Sequence, residues 1–249
     1  MMKKLNAGII VIGDEILSGR TQDTNSNFIA KNLIKAGIHL DEIKIIHDDK
    51  DIIIKNIISF HKKYTYVFTT GGIGPTHDDI TSESVALAFN QKYCFHSGAY
   101  KILEEYYPKG EFNKGRQKMS KMPENAELIL NPLTAAPGFS IENVYVLPGV
   151  PSIMQKMFLS LLETLEKGSP KKIITLNINL YESSIAFELE KIQNQNKDCS
   201  IGSYPYFNYV SKIGGVNIVI SSWELEDLNP IVTQITKMVS LLGGKSSIV

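Results

Sequence analysis

Two adjacent aspartates, Asp78 and Asp79, follow a glycine-rich segment at residues 69–76, which itself follows an apolar run typical of a buried strand. Residues 82–89 are helical in composition, and Thr81 is placed to cap the first turn of that helix. The glycines allow backbone N–H groups to turn towards an anion, and a helix N-terminus adds partial positive charge. A tight turn without a ligand is the alternative for any glycine loop. The neighbouring aspartates favour a ligand, and the pattern is suited to phosphate or another anion.

The glycine segment matches neither of two common nucleotide motifs. A P-loop requires a lysine directly after its last glycine, and none follows these glycines. The dinucleotide fingerprint requires a third glycine where His77 stands. The segment therefore predicts a phosphate site of a different type.

Carboxylates also follow the two strands predicted earlier in the chain, so that three pairs arise: Asp14 and Glu15, Asp48 and Asp49, Asp78 and Asp79. The carboxyl ends of parallel strands meet at one edge of a sheet, so we expect these pairs to lie close together. Carboxylates repel one another and a phosphate, and a hard divalent cation bound between them would offset this repulsion. As alternatives, Asp49 or Asp51 only caps a helix and Glu15 points into solvent. We expect two or three of the six to be metal ligands.

The elements that position these groups alternate between strand and helix. The continuous apolar run at residues 7–12 is typical of a strand buried on both faces of a parallel sheet. Residues 38–46 are predicted to form the second strand, and the β-branched and aromatic run at 64–68 the third. The helical patterns between them indicate right-handed βαβ units. Residues 91–123 are less regular and are predicted to form a helical excursion over the ligand edge. A further helix is predicted over residues 152–166, with Ser152 as its cap.

A linker at residues 167–171 divides the chain into two predicted domains. Residues 1–168 form an α/β domain, and residues 172–249 form a small α+β domain with the order βαββα. The net charge is zero, with 26 basic and 26 acidic residues, which gives no electrostatic footprint for nucleic acid or a membrane surface. The two cysteines lack metal-type spacing, and no apolar run is long enough to span a bilayer. We expect a cytoplasmic protein.

Several motifs, taken in order, resemble those of the MoaB/Mog molybdopterin-binding family, specifically its CinA-like branch, named for competence/damage-inducible protein A. They are Gly-Asp-Glu at 13–15, Asp-Thr-Asn at 23–25, the glycine segment and aspartates at 70–81, Asn-Pro at 131–132, Ala-Pro-Gly-Phe at 136–139 and Leu-Pro-Gly-Val-Pro at 147–151. Residues 201–205 extend the resemblance into the second domain. The same two-domain arrangement resembles the N-terminal half of eukaryotic FAD synthase. One departure is Thr134-Ala135, where the family usually has Gly-Thr.

The resemblance implies a three-layer α/β sandwich whose glycine loop and acidic edge bind a pterin or nucleotide phosphate. It implies a magnesium-type site at Asp48 and Asp79, with magnesium, cobalt or manganese as the cofactor. The function expected is a divalent-metal-dependent nucleotide pyrophosphatase acting on ADP-ribose or an FAD-like dinucleotide. A non-catalytic pterin- or nucleotide-binding module and a molybdopterin adenylyltransferase-like enzyme are the alternatives. The amide hydrolase domain of full-length CinA has no counterpart in these 249 residues, so nicotinamide-mononucleotide deamidation is not expected of them, nor is FAD synthesis.

The predicted site combines the residues from the motifs with those that the resemblance implies. The catalytic group is Asp14, Glu15, Asp78 and Asp79. The predicted substrate- and phosphate-binding residues are Gly13, Thr24, Asn25, Gly71, Gly72, Gly74, Pro75, Thr76, Thr81, Pro137, Gly138, Pro148 and Gly149. We expect a homodimer or larger homo-oligomer, because the family resembles obligate oligomers and the second domain carries more aromatic residues than its small core needs.

Overall fold

A computed structural model describes residues 5–208 and 213–249, and these form two compact units, Met1–Gly168 and Ser169–Val249. The division falls inside the segment 167–171 whose composition is typical of a linker. Residues 1–4 of the predicted first domain lie outside the described part of the chain.

The first unit is an α/β structure. In chain order its described elements are β1 (Asn6–Ile12), α1 (Asp14–Leu17), α2 (Asn25–Lys35), β2 (His39–Ile46), α3 (Lys50–Lys63), β3 (Tyr66–Thr70), α4 (Thr81–Ala88), β4 (Tyr93–Phe95), α5 (Ser97–Tyr106), α6 (Lys114–Lys118), β5 (Lys121–Pro123), β6 (Glu127–Ile129), β7 (Gly138–Ile141), β8 (Val144–Leu147) and α7 (Pro151–Leu162). The short strands β4 and β5 pair with each other in a separate antiparallel ribbon.

The main sheet has the strand order β2-β1-β3-β8-β7-β6. Strands β1, β2, β3 and β8 are parallel, β7 is antiparallel to β8, and β6 is antiparallel to β7. Helices α2 and α7 supply side chains to the core on one face, and α3 and α4 supply side chains to the core on the other. The predicted three-layer sandwich with a mainly parallel sheet is confirmed.

Strand β1 shows why the apolar runs are continuous. Ile9 and Val11 lie in the core on one face of the sheet, whereas Ile10 and Ile12 lie in the core on the other face. All four are at most 3% exposed. Since successive side chains of a strand point to opposite faces, a strand with both faces covered has no polar positions. This strand carries the chain to Gly13 at the ligand edge.

Two predicted helix caps are wrong. Helix α4 begins at Thr81 itself, with Ile80 at the cap position and no side-chain hydrogen bond there. The Thr81 hydroxyl is instead buried beneath the glycine loop, because the backbone N–H of Thr81 donates to Gly72 O at 3.0 Å and holds the residue there. Helix α7 begins at Pro151, one residue before the predicted cap Ser152. The fixed φ of proline suits the first helical position, which explains the earlier start.

The second unit contains β9 (Lys172–Ile178), α8 (Glu182–Gln195), β10 (Ser200–Asn208), β11 (Ile213–Ser222), α9 (Asn229–Leu241) and β12 (Ser246–Ile248). Its antiparallel sheet has the order β10-β11-β9-β12, which is the split βαβ arrangement. The predicted α+β unit is confirmed, but the predicted order βαββα lacks β12. That strand is three residues long, largely exposed and serine-rich, so it carries no hydrophobic alternation. Within the described residues no helix is both long and apolar enough to cross a bilayer.

Replacing Ala135 by glycine is expected to raise the free energy of unfolding by about 0.5–1 kcal/mol. Ala135 has φ 63°, in the left-handed region where a Cβ is strained and glycine is not. Urea denaturation of Ala135→Gly and of Ala136→Gly, the neighbouring alanine without a positive φ, measures the effect. We expect Ala136→Gly to destabilise, and equal destabilisation by both changes would contradict the strain at Ala135.

Candidate active site

A cleft of about 560 Å³ opens at the carboxyl ends of the central strands of the first unit. It is bordered by the segments that follow β1, β2, β3 and β8 and by the loop between β6 and β7. The predicted site residues that line it are Gly13, Glu15, Asp48, Gly71, Gly72, Gly74, Pro75, Asp78, Asp79, Pro137, Pro148 and Gly149. The structure therefore brings together carboxylates from three strand ends, as the parallel arrangement predicts.

Gly71 and Gly72 have backbone conformations and contacts that exclude a side chain. Gly71 has φ +106°, and a Cβ there would lie 2.1 Å from the carbonyl oxygen of Ile12. Gly72 has φ +69°, and its Cβ would lie 2.1 Å from the Thr81 hydroxyl oxygen. The Gly71 N–H donates to Leu147 O at 3.2 Å, so the prediction that it faces the anion is wrong. Gly71 fastens the loop to β1 and β8, and the segment beyond it borders the cleft.

Asp79 folds back over the glycine loop. Its Oδ2 accepts hydrogen bonds from Thr76 N at 2.8 Å and from Thr76 Oγ1 at 2.5 Å. A Cβ on Gly74 would lie 2.7 Å from the same oxygen. Thr76 was predicted to contact substrate, but it lies outside the lining of the cleft. Its hydrogen bonds hold the Asp79 side chain in place instead. Asp79 consequently holds the shape of the loop as well as adding charge to it.

Asp48 and Asp14 are joined at the mouth of the cleft. Asp48 Oδ2 accepts a hydrogen bond from Asp14 N at 3.0 Å, and Asp14 Oδ1 lies 2.6 Å from His47 Nδ1. Burial raises the pKa of the Asp48 carboxyl, and the charges of Asp14, Glu15 and Asp78 raise it further against the opposing effect of the Asp14 N–H. Asp14 does not line the cleft, so of the predicted catalytic group Glu15, Asp78 and Asp79 do.

Asp48→Asn is expected to stabilise the metal-free protein by a fraction of a kcal/mol at pH 7, because the side chain is partly exposed and solvent screens its charge. The pKa of Asp48 is raised in the folded protein, so the free energy of unfolding falls as the pH rises from the pKa of the unfolded state through that of the folded state. Asparagine keeps an acceptor for Asp14 N and removes this cost. Thermal unfolding between pH 4 and pH 7 measures it: the advantage of Asp48→Asn should grow with pH, and a pH-independent difference would contradict the assignment.

The predicted metal pair, Asp48 and Asp79, lies in the lining of one cleft. Among the described residues, no group of three histidine, cysteine, aspartate or glutamate side chains is arranged to hold a metal ion. Magnesium is commonly bound through one or two carboxylates together with substrate phosphates, and it does not require a complete protein cage. Asp48 and Asp79 each use Oδ2 for a backbone hydrogen bond, so Oδ1 is the atom that each would offer. Carboxylate oxygens are donors of the type that such a cation binds, and a cation held by these two residues together with substrate stays a prediction.

Besides Thr76, four predicted binding residues lie outside the lining of the cleft. Thr24 and Asn25 line a neighbouring cavity of about 60 Å³, where Asn25 Nδ2 donates to Gly149 O at 2.8 Å. Asn25 Oδ1 is buried there without a hydrogen-bond partner in the part of the chain that the structure describes. Thr81 is fully buried beneath Gly72. Gly138 lies in β7, where a Cβ would come within 2.4 Å of Val146 O. These residues shape the walls of the cleft from behind.

The lining also includes residues that sequence reasoning did not assign to the site: Ile12, Ile73, Tyr107, Met119, Asn131, Thr134, Ala136, Val150 and Ile153. Asn131 belongs to the Asn-Pro motif, and its Oδ1 accepts from the backbone N–H groups of Leu133 and Thr134 at 2.9 and 3.2 Å. That side chain fixes the loop between β6 and β7. Tyr107 and Met119 come from the excursion over the ligand edge, whose irregular sequence gives no sign of which side chains face the cleft.

Two family models match the chain. One described as a probable molybdopterin binding domain matches residues 8–167, and one described as the middle domain of FAD synthase matches residues 173–242. The boundaries of both matches agree with the two compact units.

Three similar proteins extend these matches. A protein of Archaeoglobus fulgidus is 39% identical over 202 residues, which cover 81% of this chain and 86% of that relative. A probable FAD synthase of Caenorhabditis elegans is 30% identical, and the match covers 96% of this chain and 51% of the relative, so the chain spans about half of that protein's length. The crystal structure of CinA from Thermoplasma acidophilum, a protein of unknown function, is 32% identical with a TM-score of 0.60, covering 64% of this chain and 96% of that chain.

Proposed function

Because this chain belongs to the molybdopterin-binding domain family and has CinA among its relatives, we propose that it is a divalent-metal-dependent nucleotide pyrophosphatase acting on ADP-ribose or an FAD-like dinucleotide. The proposal rests on one observation: a glycine loop and carboxylates from three strand ends line the same cleft. Its volume of about 560 Å³ is within the usual range for a nucleotide-sized ligand.

The substrate diphosphate is placed along the loop from Gly72 to Gly74, beside the N-terminus of α4. Partial positive charge at that helix end favours phosphate there. A divalent cation bound through Asp48 and Asp79 would neutralise negative charge on the phosphate oxygens and on the leaving phosphate. Both carboxylates already lie in the lining of the cleft, which supports this arrangement.

Glu15 is the proposed base. Its two carboxylate oxygens lie 2.7 and 2.8 Å from the position that a Cβ on Gly13 would occupy, so the side chain folds over the end of β1 and borders the cleft. A water oxygen attacks one phosphorus and forms a new P–O bond as the bridging P–O bond breaks. The water proton passes to Glu15, and the bridging oxygen leaves with the second phosphate. Asp78, more exposed and beside the same loop, adds to the charge that holds the cation.

A non-catalytic pterin- or nucleotide-binding module is the second candidate. It is favoured by the contacts of Asp79, whose Oδ2 already accepts hydrogen bonds from Thr76 N and Oγ1 and so holds the shape of the loop. In that case the cleft would bind the ligand without activating water. The match to the middle domain of FAD synthase fits either candidate, since the chain spans about half of the length of the relative that carries that name.

Product formation from ADP-ribose, FAD, NAD and ATP, each with magnesium, manganese or cobalt, tests the proposal directly. The expected result is cleavage of the diphosphate into two monophosphate products, and this cleavage should stop when a chelator is added. Binding measured by calorimetry without turnover under any of these conditions would favour the binding module. Transfer of an adenylyl group from ATP to a pterin would instead favour the adenylyltransferase alternative. The predicted homo-oligomer stays a prediction, and sedimentation of the 27.8 kDa chain at micromolar concentration tests it.

A further inference from the structure

The segment from α5 to α6 forms one wall of the cleft and is attached to the glycine loop. A Cβ on Gly115 would lie 3.4 Å from the carbonyl oxygen of Pro75, so α6 packs closely on that loop. Lys118 Nζ donates a hydrogen bond to the carbonyl oxygen of Thr76. Tyr107 and Met119, on either side of α6 in sequence, line the cleft. The wall thus adds an aromatic residue and a thioether residue to a lining that also contains the glycine loop.

The Tyr107 ring is held in place by its neighbours. The guanidinium carbon of Arg116 lies 4.1 Å from the ring centroid, and Arg116 Nη1 donates to Glu111 O at 2.6 Å and to Glu111 Oε2 at 3.0 Å. The Phe112 ring is nearly parallel to that of Tyr107, at 14°, with the centroids 6.3 Å apart. The positive charge of Arg116 is therefore paired with Glu111, and its planar group braces the ring. A ring fixed in this way loses little side-chain entropy when a ligand stacks on it.

We propose that Tyr107 is the stacking platform for a planar heteroaromatic ring at the end of the ligand: a purine base, an isoalloxazine or a pterin. The inference deepens the proposed function, since it assumes that the diphosphate lies on the glycine loop. A diphosphate alone would be met by the loop and the carboxylates, whereas the apolar side of a cleft of this size remains for a ring. Base–aromatic stacking is worth about 1–3 kcal/mol by alanine substitution and tolerates different rings.

The neighbouring tyrosine provides a matched control. Tyr106 is 51% exposed and lies outside the lining of the cleft, in a separate groove of the same unit. Its ring meets that of Tyr107 at an interplanar angle of 81°, with centroids 5.1 Å apart, so Tyr106→Leu removes a neighbouring ring while Tyr107 itself is kept. The pair separates loss of an aromatic ring in this segment from loss of the ring at the cleft.

Calorimetric titration with ADP, FMN and inorganic pyrophosphate, in the presence of magnesium, tests the proposal in the whole chain. Tyr107→Leu keeps an apolar side chain without a π-face, and Tyr107→Trp keeps the π-face. We expect Tyr107→Leu to weaken ADP and FMN binding about tenfold and to change pyrophosphate binding less than twofold. Tyr106→Leu should bind all three ligands as the unchanged protein does, and Tyr107→Trp should recover most of the ADP and FMN affinity that Tyr107→Leu loses. A matching circular dichroism spectrum shows that each variant is folded.

Two results overturn the proposal. One is equal weakening of pyrophosphate, ADP and FMN in Tyr107→Leu, which would make Tyr107 a structural residue of the wall. The other is that ADP and FMN bind no more tightly than pyrophosphate to the unchanged protein, or bind equally to the leucine and tryptophan variants. Binding is read without turnover, so the platform can be supported while the pyrophosphatase activity fails. If Tyr107→Leu instead lost turnover while its binding of ADP and FMN stayed unchanged, the stacking platform would be wrong and the pyrophosphatase activity would stand.

Discussion

Asp79→Asn is expected to lower the turnover of a diphosphate substrate by about a hundredfold or more, equivalent to about 2.7 kcal/mol of transition-state stabilisation. Asparagine retains an oxygen that can accept from Thr76 N, so the shape of the glycine loop is kept. What it removes is the negative charge proposed to bind the cation. The loss should be partly offset by raising the metal concentration, because a weaker site is then filled by mass action. Initial rates over a range of magnesium or manganese concentrations measure both effects.

Two further variants separate the role of the charge from that of the loop contact. Asp51→Asn makes the same chemical change at an exposed position in the first turn of α3, outside the cleft, and should leave turnover unchanged. Thr76→Val removes the hydroxyl that donates to Asp79 Oδ2 and leaves the negative charge of Asp79 in place. A loss in Thr76→Val as large as that in Asp79→Asn would assign the effect to loop shape. Near-normal turnover in Asp79→Asn would remove Asp79 from the metal site.

Gly71→Ala is expected to lower the free energy of unfolding by about 3 kcal/mol or more. The left-handed backbone costs an alanine about 1–2 kcal/mol, and displacing packed atoms typically costs a further 1–3 kcal/mol. At Gly71 the displaced atom is backbone, since the new Cβ would lie 2.1 Å from the carbonyl oxygen of Ile12 at the end of β1. Urea denaturation measures the change, and nucleotide binding should weaken as well because the loop is displaced.

Gly19→Ala is the matched comparison. Gly19 also has a left-handed backbone, with φ +74°, but no atom of the described residues lies within 4 Å of the position that a Cβ would occupy. It should therefore lose only the backbone contribution, about 1–2 kcal/mol. The difference between the two variants isolates the close approach of the loop to β1. Equal destabilisation would mean that the loop can shift away from Ile12 at little cost.

The sheet and the gathering of carboxylates could be predicted because both follow from local patterns. Residues 7–12 are apolar without interruption since each face of β1 meets a separate core, and that pattern is visible in the sequence. Parallel strands then carry whatever follows them to one edge. For this reason Glu15, Asp48 and Asp79, from three distant parts of the chain, were expected in one place and do line one cleft.

The details of the loop could not be predicted, because they depend on contacts between distant residues. The Gly71 N–H is used by Leu147, and the Thr81 side chain lies under Gly72; neither partner is close in sequence. Tyr107 faces the cleft because α6 packs on the glycine loop, and hydrophobic periodicity carries no information on that docking. Strand β12 was missed for a different reason: its pairing with β9 uses backbone groups, which leave no side-chain pattern.

The hydrogen bonds around Thr76 connect the wall of the cleft with its carboxylates. Lys118 of α6 donates to the Thr76 carbonyl oxygen, while the Thr76 N–H and hydroxyl donate to Asp79. A ring seated on that wall would therefore also steady Asp79, so that part of its binding energy would appear as faster chemistry in addition to tighter binding. A phosphate compound without a ring would then occupy the cleft and turn over slowly. The proposed pyrophosphatase would then discriminate against small phosphates twice, by weaker binding and by slower turnover.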